Sequence, residues 1–466
     1  MIFQAENSIA EYKMNNRLKK IFTVVVPVSA VLVSGMSWFV TRVPASPFDQ
    51  TDPQEERATA LVARGGYVAR LADCVACHTA PGGTAYAGGL KMVTPMGAIF
   101  ATNITPDRDT GIGTYTLADF DRALRSGVAK DGHRLYPAMP YPSYARISDD
   151  DVRALYAYFM HGVPVVHQEN RKSTIPWPLN MRWPLALWNV TFARFGVYQP
   201  DASKDVQWNR GAYLVEGAGH CGACHTPRGL AFNEKGADSH SRTFVSGALI
   251  DGWFAPSLRN DPNTGLGRWS EDDVFHFLKT GRNTHAVVFG SMTEVFNNST
   301  QFFTDDDLRA VAHYLKSLPT DGQRDTSSWH YEPTQTAALE PAGQQRIPGA
   351  QIYMAQCRFC HGVDGRGQGQ WIPPLAGVAS SLASDSSSAI NITLNGSARI
   401  VANGIPDAYR MPSYRAQLSD KDIADVLTFI RSSWGNRGAR VLVSDIQKLR
   451  DKTVPASSTP VILKTQ

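Results

Sequence analysis

Cys74-Val-Ala-Cys77-His78 recurs twice along the chain, as Cys221-Gly-Ala-Cys224-His225 and Cys357-Arg-Phe-Cys360-His361. These three stretches use all six cysteines of the 466 residues. Two thiols three residues apart on one helical turn reach the two vinyl groups of a single porphyrin. The His that follows then lies under the ring centre as an iron ligand. A bare C-x-x-C also serves thiol redox chemistry or half a zinc site. Here His follows every pair directly, and no cysteine is left over to complete a four-ligand zinc site. The pattern therefore predicts three covalently attached c-type haems, held by Cys74, Cys77, Cys221, Cys224, Cys357 and Cys360. His78, His225 and His361 are the expected axial ligands.

Working outward, each motif opens a similar module. Arg64-Gly65-Gly66-Tyr67 precedes the first, Arg210-Gly211-Ala212-Tyr213 the second, and Gly349, Ile352 and Tyr353 the third. Thr110-Gly111-Ile112-Gly113 matches Thr264-Gly265-Leu266-Gly267, and Leu124-Arg125-Ser126-Gly127 matches Leu278-Lys279-Thr280-Gly281. Both matches share one offset, 264 − 110 = 278 − 124 = 154, so the first two modules run in register. Each module closes on a helix start: Ser148-Asp-Asp-Asp151, Thr304-Asp-Asp-Asp307 and Ser419-Asp-Lys-Asp422 resemble capping boxes. Apolar residues follow at helical spacing, as in Val152, Leu155 and Phe159, and are expected to pack on the module's first helix.

A second axial ligand is expected from Met or His. Between His361 and Trp434 the only Met is Met411, and no other His occurs. Between His225 and Leu318 the only Met is Met292. In module one Met92, Met96, Met139 and Met160 compete. Met139 stands 148 − 139 = 9 residues before its helix cap, against 419 − 411 = 8 for Met411 and 304 − 292 = 12 for Met292. Met139-Pro-Tyr-Pro-Ser-Tyr144 also echoes Met411-Pro-Ser-Tyr414. Met139, Met292 and Met411 are thus the expected ligands, with His133 and His285 as rivals. His161, His167, His220, His276 and His313 occupy no repeated position and read as structural. Pro374 is expected to accept the ring N–H of His361 through its carbonyl.

Composition fits folded domains: 43% hydrophobic, 19% charged, net charge +4, which gives no reason to expect nucleic acid. Residues 21–40 carry no charge and follow Arg17, Lys19 and Lys20. Twenty such residues suit an N-terminal membrane anchor with the remainder in the periplasm. A cleaved signal peptide near Val33-Ser34-Gly35 is the competing reading, and Met14 is a plausible start. The expected fold class is mainly α: three tandem class I cytochrome c domains behind a transmembrane or signal helix. The expected division is 1–44 N-terminus and anchor, 58–161, 209–318 and 349–438 the domains, 162–208 and 319–348 linkers, and 439–466 a tail.

Three such modules behind an apolar segment resemble the cytochrome c subunit of membrane-bound dehydrogenases of acetic-acid-type bacteria. Ala101-Thr-Asn-Ile-Thr-Pro-Asp107, Leu135-Tyr-Pro-Ala-Met-Pro140 and His220-Cys-Gly-Ala-Cys-His-Thr-Pro-Arg228 carry the likeness over roughly residues 58–438. The resemblance implies an electron-transfer subunit that does not itself oxidise substrate. It implies a large catalytic partner of quinoprotein, molybdopterin or flavin type, in some complexes a small subunit, and ubiquinone as acceptor at the inner membrane. Alcohol or aldehyde oxidation is the favoured chemistry. A haem enzyme such as a peroxidase, or a cytochrome feeding a terminal oxidase, are the alternatives. Some relatives carry an apolar C-terminal segment that this chain lacks. No strand–G-x-G-x-x-G–helix unit for a nucleotide occurs.

The linker 162–208 crowds Trp177, Trp183, Trp188, Phe192, Phe195 and Tyr198 among Pro176, Pro178, Pro184, Arg182 and Arg194. Two readings apply: a strap packed between modules, or a segment touching lipid or quinone.

Overall fold

Each C-x-x-C-H stretch folds as a single helical turn, Cys74–Cys77, Gly222–His225 and Arg358–His361. These turns belong to a computed structural model that describes residues 40–50, 59–193, 195–322, 327–333 and 349–457, with positions 28, 34, 35 and 38. Most of the expected anchor, 21–40, lies outside the described residues. Among those described, no helix is long and apolar enough to cross a membrane.

A leading helix enters each turn: Thr59–Leu71, Val206–Tyr213 and Ala350–Gln356. A closing helix crosses it: Asp149–His161, Asp305–Ser317 and Asp420–Ser432. The glycine that recurs ahead of each motif sits at this crossing. A Cβ on Gly65 would lie 1.9 Å from the Ala154 carbonyl oxygen, on Gly211 2.1 Å from that of Ala310, and on Gly349 2.1 Å from that of Asp425. Only glycine lets the two backbones approach so closely. The closing helices bury the predicted stripes, with Leu155, Leu308 and Ile423 fully enclosed. A shorter helix completes each module: Leu117–Ser126, Glu271–Thr280 and Ser387–Asn395. The in-register Gly127 and Gly281 end the first two of these in the left-handed conformation, φ 61° and 78°, where side chains are disfavoured. Three two-stranded antiparallel hairpins are the sheet structure among the described residues.

The three helix caps differ in one respect that the sequence pattern conceals. Ser148, Thr304 and Ser419 each accept the N–H of the acid three residues on, at 3.2 Å. Only Asp422 reaches back to its own cap, accepting from the Ser419 N–H at 3.1 Å. Asp151 and Asp307 turn elsewhere, so the first two caps are not reciprocal boxes. Asp151 takes Arg64 of its own module at 2.9 Å and the Tyr213 hydroxyl of module two at 2.6 Å. Asp307 takes Arg210 of its own module at 2.7 Å and the Tyr67 hydroxyl of module one at 2.5 Å. The exchange is reciprocal: the Tyr of each Arg-Gly-x-Tyr stretch docks on the other module's buried acid.

Apolar packing follows the same division. One continuous core runs through modules one and two, joining Leu71, Leu155 and Phe159 to Trp208, Leu308 and Tyr314. Module three builds its own core around Tyr353, Leu394, Phe429 and Trp434. It meets module two through a small apolar cluster of Val288, Phe296 and Ile400 and through hydrogen bonds: the Phe254 N–H donates to Ser388 at 2.9 Å, Asn391 to the Gly252 carbonyl at 3.0 Å, and the Val401 N–H to Asn297 at 2.9 Å. Arg282 and Asp407 add a buried ion pair. The tail is not a loose extension. Its helix Val443–Lys452 buries Ile446, and Arg450 donates to Asp420 at 2.6 Å.

Candidate haem centres

The three motif histidines are held alike. Nδ1 of His78 lies 2.7 Å from the Thr102 carbonyl, that of His225 2.7 Å from Pro256, and that of His361 3.0 Å from Pro373. A carbonyl can only accept, so each Nδ1 carries the proton and each Nε2 keeps its lone pair free. Burial lowers the pKa of all three rings, with the carbonyl bond opposing it, which favours the neutral, ligating form. The partner of His361 is thus Pro373 and not Pro374. Modules one and two have counterparts that the motif alone does not reveal. Thr102 and Pro256 are themselves offset by 256 − 102 = 154, so carrying the register back eight residues from Thr110 would have found them.

Five of the six thiols sit in surroundings that disfavour thiolate. Burial pushes Cys77, Cys221 and Cys357 up to about 12 and Cys224 to about 11, and raises Cys74 further. Redox-active C-x-x-C pairs and zinc sites need the reverse, a stabilised thiolate. Cys77 and Cys224 lie within electrostatic reach of each other, which puts the first two centres side by side.

The Met-Pro echo has a structural counterpart. After Met139, Tyr144 donates its hydroxyl to the Ala72 carbonyl at 2.7 Å; after Met411, Tyr414 donates to the Gln356 carbonyl at 2.9 Å. Each tyrosine ties the Met loop to the chain just ahead of the first cysteine. In module three Cys357, His361 and Met411 line one apolar cavity with Leu375, Ile392 and Leu427. Met139 is half-buried against the core shared by modules one and two. Met292 is placed differently: it starts the helix Met292–Asn298, which packs on the Cys74–Cys77 turn of module one, and its side chain rests on Val288, Phe296 and Ile400. That helix accounts for its longer distance from the cap.

The rival histidines are engaged elsewhere. His133 is exposed and pairs with Asp131, while His285 stacks on Trp269 at 5.3 Å and faces Asp273. His220 is half-buried between modules one and two, edge-on to Tyr144 and 3.3 Å from the Ala72 carbonyl. One residue beside the motifs was missed. Asp73, immediately before Cys74, is buried with a left-handed backbone (φ 47°), and its Oδ1 has no hydrogen-bond partner. Burial, then nearby Glu294, raises its pKa well above the carboxylate range. Nothing in the local sequence separates it from a surface acid. Taken together, the thiol pairs on one turn, the fixed tautomers and the apolar lining fit covalently bound haem c.

The cytochrome c family model matches residues 62–162, 209–319 and 347–434. The chain is 50% identical over 405 residues to the "Alcohol dehydrogenase (quinone), cytochrome c subunit" of Gluconacetobacter polyoxogenes, covering 86% of each chain. It is 50% identical to the "Gluconate 2-dehydrogenase cytochrome c subunit" of Pantoea cypripedii, over 85% of this chain and 91% of that one. It is 37% identical to the "Fructose dehydrogenase cytochrome subunit" of Gluconobacter japonicus, over 89% and 88%. The chain therefore belongs to the cytochrome c family, in the branch formed by the cytochrome c subunits of quinone alcohol dehydrogenases and their gluconate and fructose dehydrogenase counterparts.

Proposed function

We propose that the chain is the electron-transfer subunit of a periplasmic dehydrogenase complex, carrying electrons from a catalytic subunit through three c-type haems to ubiquinone. The observation that carries this reading is the threefold recurrence of a thiol pair on a helical turn with a neutral His locked by a backbone carbonyl, and in each module the sequence supplies a Met ahead of the closing helix. In it Cys74 and Cys77, Cys221 and Cys224, and Cys357 and Cys360 form the thioethers. His78 with Met139, His225 with Met292, and His361 with Met411 would ligate the three haem irons. Such a centre has no open coordination site for substrate, and Met ligation raises its potential, which suits accepting electrons from an organic oxidation.

The likeness to the quinone alcohol dehydrogenase subunits favours alcohol oxidation by the partner. In the same reading residues 21–40 anchor the chain in the inner membrane. Residues 58–161, 209–318 and 349–438 are the haem domains, joined by linkers 162–208 and 319–348. Deleting this chain from the host tests the function. Substrate oxidation coupled to ubiquinone should be lost while the catalytic subunit still reduces an artificial dye. Undiminished quinone reduction would refute it.

A further inference from the structure

The linker between modules one and two has two faces. One packs: Asn189 is buried and accepts the Tyr141 hydroxyl at 2.6 Å, and Trp188 donates its indole N–H to the Ala231 carbonyl of module two at 2.8 Å. The helix Pro184–Phe192 is apolar almost throughout, so this packing leaves hydrophobic side chains on its other face. Trp177 is 78% exposed, Val190 64% and Phe195 55%, with Leu179, Trp183 and Leu187 also open. Through Trp188 the helix is fixed beside the 230–232 loop, where Leu230 is fully exposed and Phe232 half so. A soluble surface rarely gathers so much exposed aromatic and aliphatic side chain in one place.

What covers this face is indicated by where the N-terminal apolar segment leaves the folded chain. Arg182 stacks on Tyr136 at 3.5 Å and donates to the Arg134 carbonyl at 3.1 Å. Arg134 in turn donates to the Arg42 carbonyl at 2.8 Å. Arg42 stands two residues after Val40, the last of the uncharged run, so the described chain at 40–42 lies on the same side of the molecule as the linker face. Trp38, near its end, is 64% exposed and lies under the Arg42 guanidinium. Arg134 and Arg182 are half-buried and spend their guanidiniums on these carbonyls, tying the linker to the chain at Arg42, which is exposed. An exposed arginine beside exposed tryptophans matches the chemistry of an anionic lipid surface: rings at the headgroup level, the guanidinium on phosphate.

We propose that the exposed face of residues 177–195, with Leu230 and Phe232, lies on the membrane surface as a second, interfacial contact beside the N-terminal segment. The proposal rests on the reading of the chain as a membrane-associated cytochrome. It fixes which side of the first two modules faces the bilayer.

The test uses the full chain with its catalytic partner in phosphatidylethanolamine–phosphatidylglycerol vesicles carrying a photoactivatable phospholipid, with labelled peptides mapped by mass spectrometry. Residues 177–195 and 229–233 should take up label. The Trp177→Ser/Val190→Ser chain should lose most of the label at 177–195 while keeping it on 21–40. Label confined to 21–40 overturns the proposal. So does a linker that cross-links to the catalytic subunit in place of lipid, which would make the face a protein interface. Haem content and reduction by the partner, measured on the same samples, report separately on the electron-transfer reading.

Discussion

Modules one and two lean on each other, whereas module three stands beside them. The first pair shares a continuous apolar core, and each lends a tyrosine to the other's buried aspartate, Tyr67 to Asp307 and Tyr213 to Asp151. Module three keeps its own core and its own capping box, and meets module two through hydrogen bonds and one small, separate apolar cluster at Ile400. Equivalent surfaces are covered by different neighbours. The hairpin of module one bonds the linker, where Thr174 donates to the Ala98 carbonyl at 2.9 Å; the hairpin of module two bonds module three. Repeated sequence therefore makes repeated sites but not repeated dependence: two sites share one folding unit and the third has its own.

The sharpest way to break this contrast is to remove haem attachment from one module at a time. Cys357→Ser/Cys360→Ser should yield a chain with two haems and intact first modules, read as intact mass and as retained near-UV dichroism. Cys74→Ser/Cys77→Ser should lose the first haem and destabilise module two with it. Equal, local losses would dissolve the contrast.

Next in size are the aspartates at the closing helices. Asp307→Ala leaves Arg210 and Tyr67 without their shared acceptor and should cost about 2–3 kcal/mol, felt in both first modules. Asp422→Ala removes the carboxylate that accepts from the Ser419 N–H and hydroxyl and should cost about 1 kcal/mol, confined to module three. Urea unfolding followed by haem absorbance distinguishes them, and a small, local effect at Asp307 would contradict the reciprocal interface.

The axial ligands sharpen the comparison between sites. Met411→Ala should remove about one third of the long-wavelength Met–iron absorption and lower one midpoint potential, leaving the other two unmoved. Met292→Ala should shift its own potential and also disturb the neighbouring first centre, because its helix packs on the Cys74–Cys77 turn. Redox titration with spectroscopy reads both, and an undisturbed first centre would separate the pair.

The smallest effect concerns Asp73. Its folded pKa is raised by burial and by Glu294, so the unfolded chain releases this proton first, and stability falls as pH rises above the ordinary carboxylate range. Asp73→Asn should flatten that decline and stabilise the chain at neutral pH. A steeper decline in the variant would contradict the assignment.

Much of this was legible in the sequence because the chemistry imposes spacing. Thioether attachment fixes C-x-x-C-H, and the close helix crossing fixes Gly65, Gly211 and Gly349. The echo of Met139-Pro…Ser-Tyr144 in Met411-Pro-Ser-Tyr414 reflects a tyrosine that must reach the chain ahead of its motif. What stayed hidden depends on tertiary partners. Asp151, Asp307 and Asp422 look alike in sequence, yet two of them face another module's tyrosine and one caps its own helix. Backbone acceptors such as the Thr102, Pro256 and Pro373 carbonyls carry no side-chain signature. Asp73 reads as a surface acid until the neighbouring module buries it.

The central claim is that three porphyrins are bonded to this one polypeptide. Intact mass spectrometry of the denatured chain after acid–acetone extraction measures that directly. The account predicts the polypeptide mass plus three haems, with no haem in the organic phase. A lighter chain, or extractable haem, would contradict it.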